Sequence, residues 1–370
     1  MTPKQKIAEL LNLADVRING QRPWDIQVHN EALYSRLLSG GSLALGESYM
    51  AGWWDCDVPD EFFYRIINAD LKNKVSKSFS LLFLSLRARL TNMQKKSRAF
   101  NIGKKHYDTG NLLFENMLDK NMNYSCGYWK NTDNLDQAQL DKMELICRKL
   151  MLKPGMKLLD IGCGWGTLAK YAAENYKVKV TGITVSEKQA GYAKRLVKGL
   201  DVDILLEDYR NIRGQFDRIV SVGMIEHVGY KNYRTFFKKA VSCLRDNGLF
   251  LLHTIGNNFS VRQTDPWINK YIFPDSMLPS AKQLTAAYEG LFRMEDWHSF
   301  GTHYDKTLMT WYRNFNNNWE KIKSRYDERF RRMWNYYLLS SAGSFRAHDN
   351  QLWQIVLSGI NSQIDYESVR

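Results

Sequence analysis

Three places along this chain gather residues that could do chemistry. The first is Leu158-Leu-Asp-Ile-Gly-Cys-Gly-Trp-Gly166, a strand pattern carrying Asp160 that runs into a G-x-G-x-G turn made by Gly162, Gly164 and Gly166. Glycine suits such a turn because the backbone must bend sharply and come close to a ligand. A dinucleotide pyrophosphate calls for G-x-G-x-x-G, which would put glycine where Thr167 stands, so the turn is not expected to hold one. The second place is Thr184 and Gln189, after a second strand pattern. Thr184 occupies the position where a ribose-binding acid is common, and Gln189 has the donor and acceptor to take the hydroxyls instead. An ordinary helix cap and a surface residue are the competing reading of this pair. The third place is Glu226-His227 after a fourth strand pattern, with His253 ending a fifth. Taken singly, Glu226-His227 reads as a structural or generic pair and His253 as a satisfied core histidine.

The elements that must position these groups follow from the hydrophobic pattern. From Met156 onward, β-rich runs at 157–161, 177–183, 202–206, 216–222 and 249–254 alternate with helix-length segments. Such alternation predicts parallel strands with crossover helices, a doubly wound α/β sheet, which runs at 292–300 and 352–357 would extend to seven strands. Ligands of such sheets bind at the carboxyl ends of the strands, where Glu226 and His253 would stand on neighbours. An aromatic, proline-bearing insertion at 257–289 is of the kind that covers a substrate site. Residues 1–90 read as a small, mostly helical unit with turn signals at Gly40-Gly41 and Pro59. Residues 91–105 read as a basic linker and 106–370 as the catalytic domain.

Composition narrows the setting. A net charge of +13 predicts attraction to polyanions, whether nucleic acid or an anionic membrane. From Leu71 through Tyr107 there is no Asp or Glu, while Lys72, Lys74, Lys77, Arg87, Arg89, Lys95, Lys96, Arg98, Lys104 and Lys105 all fall there. A solvated linker is one reading of that run. The apolar insert Phe79-Ser-Leu-Leu-Phe-Leu-Ser-Leu86 inside it favours a membrane surface, and it is far too short to span a bilayer. Cys56, Cys126, Cys147, Cys163 and Cys243 form no C-x-x-C pair and are odd in number, which argues against a disulfide framework and a zinc site. The N-terminus mixes Lys4, Lys6, Glu9 and Asp15 with its apolar residues, unlike a secretory signal. The expectation is a cytoplasmic protein, peripheral at the inner face of the cytoplasmic membrane.

Glu207-Asp208-Tyr209 follows the third run, so the chain presents a glycine turn, Thr184 to Gln189 and Asp208 in the order in which methyltransferases of this fold place methionine-side, ribose and adenine contacts. The residues resemble one family, the cyclopropane-fatty-acyl-phospholipid synthases, including the mycolic acid cyclopropane synthases. The resemblance rests on Tyr124-Ser-Cys-Gly-Tyr-Trp129, Leu159-Asp-Ile-Gly-Cys-Gly-Trp-Gly166, Gly182-Ile-Thr-Val-Ser-Glu-Lys-Gln189, Ser221-Val-Gly-Met-Ile-Glu-His-Val228, His253-Thr-Ile255 and Gly301-Thr-His-Tyr304. It runs from about His106 to the end. It implies a class I S-adenosylmethionine methyltransferase domain behind a helical N-terminal domain, without a metal and assembled as a homodimer. The implied cofactor contacts are Tyr124, Ser125, Asp160, Gly162, Gly164, Thr184, Gln189 and Asp208. A bicarbonate serving as base is implied at Cys126, Glu226, His253, Ile255 and Tyr304, with Cys126 and Ile255 acting mainly through backbone groups.

The chemistry so implied is methylene transfer to the cis double bond of unsaturated phospholipid acyl chains. An isolated alkene is a poor nucleophile, so a sulfonium methyl must be held close to it with water excluded. Methylation leaves a carbocation, which aromatic faces stabilise without a lone pair that would trap it; Tyr124, Tyr128, Trp129, Trp165 and Tyr304 are candidates. Three rivals stay open. A nucleic-acid methyltransferase is disfavoured because Ser221-Val-Gly-Met-Ile-Glu226 replaces a Pro-Pro-aromatic motif and no Pro-Cys pair is present. A methyl-branched, methoxylated or hydroxylated lipid would arise from a cation quenched differently. A membrane-binding protein with an inactive methyltransferase domain is the non-enzyme alternative.

Overall fold

The computed structural model describes residues 1–71 and 111–370. Seven strands form its main sheet: β3 (Lys157–Ile161), β4 (Lys179–Thr184), β5 (Val202–Leu206), β6 (Phe216–Val222), β7 (Leu244–Asn257), β8 (Phe292–Ser299) and β9 (Asn350–Gly359). A ribbon of β1 (Gln27–Val28) and β2 (Trp54–Asp55) precedes them. The sheet order is β5-β4-β3-β6-β7-β9-β8. Strands β3 to β7 are mutually parallel; the buried runs of the inner strands reflect helices on both faces, while β5 at the sheet edge is largely exposed. The order reverses beside β3, between β4 and β6, and there the ligand crevice of a doubly wound sheet opens.

The sheet ends differently from its start. β9 enters between β7 and β8 and runs antiparallel to both. The apolar pattern of a strand carries no direction, and the connection from β8 to β9 is long enough for three helices, Thr302–Asn317, Trp319–Ile322 and Glu328–Arg346. The insertion after β7 folds into Pro266–Tyr271 and Ala281–Tyr288.

The N-terminal helices Pro3–Leu13, Leu33–Met50 and Pro59–Asn68 share one hydrophobic core with the C-terminal helices. The Gly40-Gly41 signal is realised as a kink inside Leu33–Met50, where Gly41 takes φ 53°, and Pro59 stands in the first turn of its helix. Gly343 lets Pro59–Asn68 press against Glu328–Arg346: a Cβ there would lie 2.7 Å from Phe63 Cβ. Arg332 donates to the carbonyl of Trp54 at 3.0 Å and to Asp55 at 2.7 Å, and Arg346 bridges Asp60 and Asp305. The basic run from Lys72 to Lys105, its apolar insert and the 91–105 linker lie outside the described residues. No helix among the described residues is long and apolar enough to cross a membrane.

Candidate active site

The turn after β3 has the backbone its glycines permit. Gly162 takes φ +88°, where a Cβ would lie 2.9 Å from the Met224 side chain; Gly164 takes φ +55° and borders open space. The turn, the ends of β4 and β6, the Glu207–Arg210 stretch and an irregular strap through Met122–Ser125 enclose one cavity. Tyr124, Ser125, Asp160, Gly162, Gly164, Thr184, Gln189 and Asp208 all line it.

Local bonds set these groups. Ser186 caps the helix Glu187–Leu196 by accepting from Gln189 N–H. The Thr184 hydroxyl donates to Gln189 Oε1 at 3.0 Å and accepts from Ser186 N–H at 3.2 Å. The cap of this helix is Ser186 and not Thr184, and both Thr184 and Gln189 are buried in the cavity wall rather than on the surface. Asp208 accepts from Arg210 N–H and from its guanidinium, both at 2.9 Å. Asp160 is 2% exposed, and its Oδ2 has no partner. Burial pushes the Asp160 carboxyl up to about 7, against the opposing pull of Lys142.

Sequence patterns did not single out Lys142. It sits on the helix Leu135–Lys149, is 2% exposed and borders the same cavity. Its ammonium donates to Ser125 Oγ at 2.9 Å and to Asn123 Oδ1 at 3.2 Å. Asn123 is held in turn by Asp119, which accepts its N–H at 2.7 Å and its amide at 2.9 Å. Burial lowers the Lys142 pKa to about 8.

Cys126, Glu226, His253, Ile255 and Tyr304 do not line that cavity, although His227, next to Glu226, does. They fall into two linked groups. Glu226 lies in a short 3₁₀ turn after β6; Ile255 N–H donates to its Oε1 at 2.8 Å, while its Oε2 is buried without a partner. Burial pushes this carboxyl up to about 7. His253 lies two residues before Ile255 on β7, with the amide of Gln354 on β9 3.3 Å from its Nδ1 and its Nε2 buried without a partner. Burial, helped by Lys142 and Lys149, pushes the imidazole well below its ordinary value, so it is neutral. The insertion reaches in here, with Met277 N–H donating to the Glu226 carbonyl at 2.8 Å.

Cys126 and Tyr304 make the second group. Thr307, one turn along from Tyr304 on Thr302–Asn317, accepts from Gly127 N–H at 3.1 Å and from the Trp129 indole at 2.8 Å, and its hydroxyl lies 3.9 Å from Cys126 Sγ. Burial pushes the Cys126 thiol up, so the sulfur keeps its proton. Phe300 joins the groups: its ring is 6.0 Å from that of His253, and it leads into the helix carrying Tyr304. Lys142 acts electrostatically on Cys126, Asp160 and His253, so its charge is felt both in the cavity and in the two groups.

The candidate aromatic faces separate. Trp165, Phe114, Tyr124, Trp311 and Tyr304 follow one another with ring centroids 5.0 to 6.0 Å apart, and the insertion adds Phe273 at 6.4 Å from Tyr124. Tyr128 instead packs among His298, Phe300 and His303, and Trp129 is fastened to His303 and Thr307. Phe114, Trp311 and Phe273 carry no motif and were not legible.

A doubly wound sheet with a glycine turn after β3, a buried Thr184–Gln189 pair after β4 and Asp208 after β5, all on one cavity, defines an S-adenosylmethionine-dependent methyltransferase. Residues 94–355 match the family model described as mycolic acid cyclopropane synthetase. The chain is 54% identical over 350 residues to the cyclopropane-fatty-acyl-phospholipid synthase of Escherichia coli strain K12, covering 95% of this chain and 92% of that one. It is 40% identical over 265 residues to a probable fatty acid methyltransferase of Pseudomonas putida, covering 68% and 67%. Among solved structures, the mycolic acid cyclopropane synthase CmaA1 complexed with SAH and CTAB superposes with a TM-score of 0.65 at 33% identity, over 70% of this chain and 97% of that one. The chain belongs to the mycolic acid cyclopropane synthetase family.

Proposed function

We propose that the chain is a cyclopropane-fatty-acyl-phospholipid synthase that transfers a methylene carbon from S-adenosylmethionine to the cis double bond of unsaturated phospholipid acyl chains, with a bicarbonate as base. The observation that carries the bicarbonate is a pair of orphaned buried atoms, Glu226 Oε2 and His253 Nε2. Buried polar atoms left without partners are costly. An acceptor and a donor of this kind suit a small oxyanion that carries one proton. Cys126, Ile255 and Tyr304 complete its proposed holders.

The cavity's polar groups suit S-adenosylmethionine: the glycine turn admits close backbone approach, Asp160 offers an unpaired acceptor, and Thr184, Gln189 and Asp208 stand along the wall. When bound, S-adenosylmethionine supplies an electrophilic sulfonium methyl and bicarbonate a replaceable base. The chain's own residues do the rest. Glu226 is anchored through Ile255 N–H, which leaves its other oxygen to orient the anion. A neutral His253 can donate to that anion without giving up a full proton and so preserves its basicity. Tyr124, Trp165 and Tyr304 belong to an aromatic lattice that excludes water and can face a carbocation. Keeping Cys126 as a thiol removes a nucleophile that a sulfonium would alkylate.

The positive charge and the basic run with its apolar insert support peripheral contact with the inner face of the cytoplasmic membrane, while Ser221-Val-Gly-Met-Ile-Glu226 in place of a Pro-Pro-aromatic motif disfavours a nucleic-acid partner. The homodimer rests on the family resemblance. The test is Glu226→Gln and His253→Ala. Each is expected to lower turnover by about 10²–10⁴-fold while S-adenosylhomocysteine still binds. Unchanged turnover would overturn the base assignment, and a wild-type chain that binds no S-adenosylhomocysteine would favour the inactive-domain alternative. The Pseudomonas putida relative's name keeps a methyl-branched product as the second reading.

A further inference from the structure

We propose that Lys142, with Ser125, is a positioning residue for the carboxylate of the cofactor's methionine end, and that it makes the cavity select adenosyl thioethers that carry an amino acid. This rests on the assignment of the cavity to S-adenosylmethionine. An ammonium has three N–H donors. Two of those on Lys142 go to neutral acceptors, Ser125 Oγ at 2.9 Å and Asn123 Oδ1 at 3.2 Å. Asp119 and Asp160 act on it as charges rather than as hydrogen-bond partners. A buried cation with neutral partners leaves its charge available to an anion brought into the cavity that it lines.

The direction of the Ser125 bond strengthens the point. Because Ser125 Oγ accepts from the ammonium, its own hydrogen turns away from Lys142 and is available to an acceptor in the cavity. On the same wall, Asp160 Oδ2 is buried without a partner and can accept from an ammonium. Lys142 with Ser125 for the carboxylate and Asp160 for the ammonium therefore match the two charges of an α-amino acid. The Asp119–Asn123 bonds fix the strap that presents Ser125, and Lys142 ties that strap to the helix Leu135–Lys149 through Asn123 and Ser125.

The test compares two ligands by calorimetry on the full chain: S-adenosylhomocysteine, and 5′-methylthioadenosine, which ends in a methyl group in place of the amino acid. Lys142→Met is expected to weaken S-adenosylhomocysteine by roughly ten- to a hundredfold, as loss of a charge-assisted bond does, and to leave 5′-methylthioadenosine within about twofold. Ser125→Ala, a gentler change, is expected to act in the same selective direction and carries the test if Lys142→Met does not fold. Equal weakening of both ligands by the variant that folds would make the role merely structural and overturn the proposal, as would no weakening of either. Wild-type protein that binds neither ligand would overturn the cavity assignment as well.

Discussion

Glu226 is a carboxyl group held where its charged form is costly: one oxygen takes Ile255 N–H, the other is buried without a partner, and the pKa rises from 4.5 to about 7. The folded protein therefore holds this proton more tightly than the unfolded chain. The penalty is absent below the unfolded value, grows as pH rises from about 4.5 to 7, and is complete above that, where it amounts to about 3 kcal/mol. Glu226→Gln keeps an oxygen for Ile255 N–H and removes the charge. Ligand-free Glu226→Gln should thus be more stable than the parent at pH 8, by up to about 3 kcal/mol, and nearly equal to it at pH 4.5, as denaturant unfolding at the two pH values would report. Equal stability at both would mean that the carboxylate already has a partner. A group that destabilises the ligand-free fold while serving the reaction is an expected trade at an active site.

At the scale of elements, the irregular strap from Met122 to Trp129 is what the helix Thr302–Asn317 holds in place. Thr307 is the clasp, accepting from Gly127 N–H and from the Trp129 indole. Thr307→Val removes both acceptor contacts and buries two unpaired donors. It should cost about 2–4 kcal/mol in unfolding free energy, whereas Thr307→Ser, which keeps the hydroxyl, should cost less than half of that. Equal losses in the two variants would point to packing instead. The same elements explain what the sequence made legible. The runs at 157–161, 202–206 and 216–222 are strands with those bounds; the first and third are doubly buried and need an apolar run that only their own sequence supplies, whereas 202–206 is an edge strand with Leu205 and Leu206 exposed. The direction of β9 was not legible, since it depends on helices that intervene. Lys142, Thr307, Trp311 and Phe273 were not legible either: a lysine or threonine on a helix ordinarily faces solvent, and Lys142 and Thr307 are buried only through the strap distant in sequence, at Asn123 and Ser125 for the one and Gly127 and Trp129 for the other. Cys126, Glu226, His253, Ile255 and Tyr304 could be named from motifs, but not their division into a β7 group and a Thr302–Asn317 group.

At the scale of the whole molecule, the N-terminal helices are built into the core that also holds Cys126 and Tyr304. Tyr336 on Glu328–Arg346 meets Tyr49 and Phe63 of the N-terminal helices and Trp267 of the insertion at 5.7, 5.0 and 4.4 Å between ring centroids. The basic run of the sequence makes its own prediction. Replacing Lys95, Lys96 and Arg98 by Gln should weaken binding to anionic vesicles, with a loss that shrinks as salt is raised, because each such charge near the surface contributes about 1 kcal/mol at low ionic strength. An unchanged affinity in vesicle sedimentation would remove that run from membrane contact. The sulfonium donor is proposed to give its methyl to an alkene carbon, leaving a thioether and a carbocation, and the caged base to take a proton from that same transferred carbon as the ring closes. This is tested most directly by carbon NMR of lipid after the protein has been given S-adenosylmethionine labelled with ¹³C in its methyl group and vesicles of unsaturated phospholipid. The label is expected as a cyclopropane methylene with loss of the alkene; label recovered as a methyl branch, or none in the lipid, would overturn the proposed reaction.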